Sequence, residues 1–159
     1  MIKTKNILEL GNVKKNVGSM LFKDETVRQL LGDGENVQDA RSFFRDHCKT
    51  HLFIDDTMTE KGSFIFFDTS ISDINYQTKT TRIHMIVMCH RDILDVIPAV
   101  DDLSGNRADM LAEAVSNTLL SADNTNQFGI GELSLEDVDI YNSKDYYGRV
   151  LIFEVKNFR

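Results

Sequence analysis

The stretch Arg82-Ile83-His84-Met85-Ile86-Val87-Met88-Cys89-His90 limits what this chain can fold into more than any other. Its apolar residues occupy odd and even positions alike, so a strand built from it needs cover on both faces and belongs in the middle of a sheet. Ser63-Phe64-Ile65-Phe66-Phe67-Asp68 is aromatic and β-branched over too few residues for a stable helix, and predicts a second strand. Two later runs, about Gly131 to Tyr141 and Gly148 to Lys156, flank the turn Asn142-Ser143-Lys144-Asp145 and predict a hairpin. In its second arm Leu151, Phe153 and Val155 alternate with Val150, Ile152 and Glu154, which is strand periodicity.

Elsewhere the period is helical. Asn106 is a suitable N-cap, Asp109 complements the positive end of the helix dipole, and Leu111, Ala114, Val115, Thr118 and Leu119 recur at helical spacing. A shorter helix starts at Asp24, carries Val27, Leu30 and Leu31, and stops at Gly32. A further helical stretch runs from about Asn36 to His47 with Val37, Ala40, Phe43 and Phe44 on one face. Residues 1–23 mix Lys and Asn with isolated apolar positions and read as a partly flexible arm outside the core. Residues 55–62 and 92–103, the latter with the single proline Pro98, read as loops. The expectation is one α+β domain over residues 24–159. It has a mostly antiparallel sheet of about four strands, packed by one main amphipathic helix plus the N-terminal helices. A chain of 159 residues, 42% of them hydrophobic, can bury such a core.

The formal charge of -7 repels phosphate backbones and disfavours general nucleic-acid binding. Two cysteines, Cys48 and Cys89, are too few for a disulfide framework or a four-cysteine zinc site, which points to a reducing compartment. No stretch approaches the roughly 18 apolar residues of a membrane span. A soluble protein with no membrane partner, intracellular when made, is expected.

Three clusters invite chemistry. His47 and His51 flank Cys48, and on a continuous helix the two rings would share a face at a zinc-binding spacing. The catalytic form of that motif has Glu directly after the first His, where this chain has Cys48, and a helix end carrying His near its negative pole is the ordinary explanation. On the central strand His84 and His90 point to one face and Cys89 to the other, a poor geometry for a Cys-His dyad. These read as satisfied histidines and an apolar cysteine, so no metal ligand, catalytic residue or cofactor site is expected from either group. The third cluster joins Glu154-Val155-Lys156 to Asp137 and Asp139 on the preceding strand. It resembles the core of the restriction-endonuclease-like nucleases, where Asp and Glu would hold Mg²⁺ and the Lys would help activate water. The acidic chain lacks an evident DNA-gripping surface, which counts against that alternative. Neither Gly129-Ile130-Gly131 nor Gly32-Asp33-Gly34 has the context of a phosphate or calcium loop.

The order of elements resembles the small phage neck and tail-terminator proteins, the head-tail joining family. The matching stretches are Phe64-Ile65-Phe66-Phe67, Thr81 to Cys89, the helix from Gly105 to Val115, and the final strand Gly148 to Val155. The helical stretch around Asp24 to His47 fits as well. The resemblance implies a structural virion protein of a tailed phage, not an enzyme and without cofactor. Such a subunit forms a ring, commonly a hexamer, that joins head to tail. Its partners would be copies of itself and adjacent neck, connector or tail-tube proteins. DNA would be cargo passing through the channel, and assembly would take place in the host cytoplasm. Head-to-tail contacts that close on rotation make rings, and an acidic channel lets DNA slide.

Overall fold

The computed structural model describes residues 6–32, 37–96, 103–129 and 131–158. Its sheet has the order β1-β2-β3-β5-β4, with β1 Cys48–Lys49, β2 Ser63–Ser72, β3 Thr78–His90, β4 Ser134–Asn142 and β5 Tyr146–Phe158. The long apolar run is the middle strand, β3, paired antiparallel with β2 on one side and with β5 on the other. Strands β4 and β5 form the expected hairpin. The fold class is α+β as expected, and the sheet exceeds four strands only through β1, a two-residue parallel addition to Ile65 and Phe66 of β2.

The two faces of the sheet differ. On one, Ile65, Phe67, Ile83, Met85, Val87, Leu151, Phe153 and Val155 meet the helices in the main core. Helix α4 (Arg107–Leu119) lies over β3 and β5, and starts at the N-cap foreseen for it, which the structure extends to a capping box: Asn106 Oδ1 accepts from Asp109 N–H at 2.9 Å and Asp109 accepts from Asn106 N–H. Helix α2 (Glu25–Leu31) is capped by Asp24, which accepts from Val27 N–H, and ends at Gly32. The other face bears a smaller cluster, Phe64, Phe66, Met88 and Tyr146, covered by Ile54 and Met58. Along β3 that cover is partial: Arg82, His84 and Ile86 are only half buried, a correction to the expectation of two covered faces.

The largest correction concerns the N-terminal residues. Asn6–Lys23 form an 18-residue helix, α1, that lies over β2 and buries Val13, Val17, Met20 and Leu21 in the main core. These four sit at spacings of four, three and one, one face of a helix. The glycine that weakens the pattern, Gly18, has a packing reason, because a Cβ there would lie 2.9 Å from the ring of Phe44. Residues 1–5 lie outside the described part. The helix expected from Asn36 to His47 is also different: α3 covers only Ala40–Ser42 and passes into a π-helical turn, Phe43–His47, before β1. Gly148 leaves no room for a side chain, since a Cβ there would stand 1.9 Å from the Val87 carbonyl oxygen of β3.

Candidate functional site

The His47-Cys48-His51 group is not assembled for metal. The chain leaves the π turn at His47 and enters β1 at Cys48, so the two histidines share no helical face. His47 Nδ1 bonds the Ser63 carbonyl at 3.0 Å, and His51 lies against Phe66. Cys48 is buried, and burial pushes its thiol up to about 12, which keeps it protonated at neutral pH.

On β3 the alternation is as expected. His84 bonds Ser70 Oγ through Nε2 at 2.9 Å, and His90 Nδ1 accepts from Asp92 N–H at 3.1 Å with its ring edge-on to Tyr146. Cys89 points to the core side, where the Ser63 hydroxyl donates to its sulfur. Among the described residues no three His, Cys, Asp or Glu side chains gather as metal ligands.

The nuclease-like residues share a face but are divided by their partners. Asp137 pairs with Ile152 and Asp139 with Val150, which puts both on the side of Glu154. Glu154 is directly opposite Arg82 of β3, and Arg82 Nε donates to its Oε1 at 2.5 Å. That carboxylate is already balanced by a guanidinium. Asp137 and Asp139 are exposed and make no ion pair among the described residues, and Lys156 is exposed at the far end of β5.

Arg107 is the residue that sequence reasoning missed. It is 1% exposed, yet it meets no carboxylate among the described residues. Its Nε donates to Leu30 O and Ser63 Oγ, Nη1 to Val96 O, and Nη2 to Leu30 O and Gly32 O. Leu30 and Gly32 lie at the C-terminal end of α2, where helix carbonyls lack intrahelical partners and the dipole favours a cation. The side chain thus closes α2, the start of β2 and the segment before α4 into one junction. Its acceptors stand 11, 44, 75 and 77 residues away in the chain, so no local signal announces the role.

The ends of the sheet also differ. At the β2 end, α1 covers the core side, and Lys14 reaches Asp68 at 2.8 Å. Asp68 belongs to the row Asp68, His84, Ile152, Asp137, which runs across the sheet on the side away from the helices. Lys14 therefore passes around the sheet edge. At the β4 end, Val138 and Ile140 lie on the helix side with 51% and 55% exposure. Among the described residues no strand pairs with the outer edge of β4.

A family model matches residues 2–155. The chain belongs to the YomW family. That name suggests a phage-derived protein. The YomW match begins ahead of α1, so this helix lies within the matched residues. No curated protein matches the chain.

Proposed function

We propose that this chain is a structural virion protein of a tailed phage, a ring-forming head-tail connector, neck or tail-terminator subunit that joins head to tail and lets DNA pass. On this reading it performs no catalysis and needs no cofactor. It is made in the host cytoplasm and enters the virion as a closed ring, six copies in the pattern of the family it resembles. Its partners are further copies and the adjacent neck or tail-tube proteins. The observation that carries the proposal is a sheet with two unlike ends, one of them a nine-residue strand left open with two exposed aliphatic residues. The acids of β4 discourage strand-to-strand pairing at this edge, whereas its exposed aliphatic side is left to be covered, and unlike ends favour head-to-tail contacts, which close into rings. YomW membership and the element order support the same reading. The net charge of -7 suits a channel through which DNA passes without adhering.

The test is sedimentation velocity of the purified full chain over a wide concentration range, with electron microscopy of the heaviest species. A closed ring of several copies is the expected result. A strict monomer at high concentration would overturn the proposal.

A further inference from the structure

We infer that the outer face of α1 in one copy packs on β4 of the next, and that this contact propagates the ring. The inference rests on the ring-forming reading above and names the surfaces that would build it.

The outward side of α1 carries Leu8, Asn12, Lys15, Ser19 and Lys23, at spacings of four, three, four and four, roughly opposite the buried Val13, Val17, Met20 and Leu21. Leu8 is 61% exposed. Lys15 and Lys23 are exposed without an ion-pair partner among the described residues. Helix α1 as a whole has three lysines and one glutamate, and Glu9 is already held by Lys79. Strand β4 is the complement: it has Glu136, Asp137 and Asp139, no basic residue, and the aliphatic pair Val138 and Ile140 on its uncovered side. The lengths agree, because the helical stripe and the nine-residue strand each extend roughly 20–30 Å.

The molecule already contains the geometry the contact needs. At the β2 end α1 lies on the core side while Lys14 reaches around the edge to Asp68. Asp137 occupies the opposite end of the same cross-sheet row and has no such lysine among the described residues. A neighbour's α1 seated on Val138 and Ile140 would offer Lys15 or Lys23 to Asp137 and Asp139 by the same route. Pairing β4 with a second β4 is disfavoured, since their acids would face each other. The contact is therefore head to tail. The α1 and β4 surfaces lie at opposite ends of the sheet, so each copy keeps one of each free for the next.

Disulfide trapping in the full chain tests this directly, because Cys48 and Cys89 are buried and leave introduced thiols as the reactive ones. The variant Leu8→Cys with Ile140→Cys is expected to give a ladder of covalent oligomers on mild oxidation, while either change alone gives none. In parallel, Asp137→Lys with Asp139→Lys should weaken association about tenfold, and adding Lys15→Glu with Lys23→Glu should restore most of it. Circular dichroism checks that each variant is folded. If the wild type forms rings but shows neither ladder nor charge rescue, these surfaces are wrong and the ring reading survives. Dimers from Ile140→Cys alone would show β4 pairing with itself and overturn the head-to-tail contact. A wild type that stays monomeric removes the ring and this contact together.

Discussion

Strands β3 and β4 belong to one sheet and could hardly be treated more differently. Strand β3 has hydrogen-bonded neighbours on both sides and the helices over one face, and Ile83, Met85, Val87, Met88 and Cys89 are fully buried. Strand β4 has one neighbour, and its Val138 and Ile140 stay in water although they point to the side on which the helices lie. The helices run out before the sheet does: α1 lies over β2 and α4 over β3 and β5. Burial of the middle makes the fold. Exposure of the edge leaves apolar area and backbone groups for something else to cover.

The sharpest way to break this comparison is at Gly148, in the covered region. Gly148→Val would drive a side chain into the Val87 carbonyl and part β5 from β3, so a loss of about 4 kcal/mol or outright failure to fold is expected in urea denaturation. Leu21→Ala comes next. If α1 is core, as its fully buried Leu21 indicates, the change costs about 3 kcal/mol by the same measurement, whereas a dispensable arm would lose almost nothing.

A smaller effect is expected at Asp68, where α1 is tied to the edge of β2. Burial pulls this carboxyl upward, but hydrogen bonds from Lys14 and Thr69 N–H, with the Lys14 charge, prevail and hold it below its ordinary 3.8. A carboxylate lowered on folding contributes stability in full above its unfolded value and loses it as pH falls through the lower folded value. Asp68→Asn should thus flatten the acid limb of the stability profile below about pH 4 and leave a constant offset above about pH 5. An unchanged acid limb would show that the pair contributes nothing. Least of all, Ile140→Thr should alter the stability of dilute protein by no more than about 0.5 kcal/mol. It should nevertheless reduce the dependence of melting temperature on concentration, because assembly stabilises what it binds. A large loss in dilute protein would mean that β4 is part of the core after all.

What could be read in the sequence was what local chemistry decides. Asp24 and Gly32 bound α2, the Asn106-Asp109 box starts α4, and Asn142 to Asp145 turn the hairpin, each through bonds made within a few residues. The apolar run of β3 placed it centrally because no other position covers so much of it. Helix α1 was harder to see, since exposed Ile7 and Leu8 blur its stripe and Gly18 is explained only by Phe44, far along the chain. The π turn at Phe43–His47 and the two residues of β1 depend on pairing with β2, which no periodicity of so short a segment can display. Among the candidate site residues, the faces of His84, Cys89 and His90 followed from parity alone. The pairing of Glu154 with Arg82 required the register of β3 against β5, and Arg107 required the whole tertiary arrangement.

The sheet order also has a consequence for synthesis. Strand β2 precedes β3 with only a short connection, but β5, the other neighbour of β3, is made after α4 and β4. While the nascent chain waits for Tyr146 and the residues beyond it, β3 presents an open ladder from Ile83 to Cys89. Unlike β4, it has no row of acids there to turn away a stranger. Chains halted before β5 are therefore the ones that should aggregate, and the speed at which the last strand arrives governs how much protein is lost on the way to the native state.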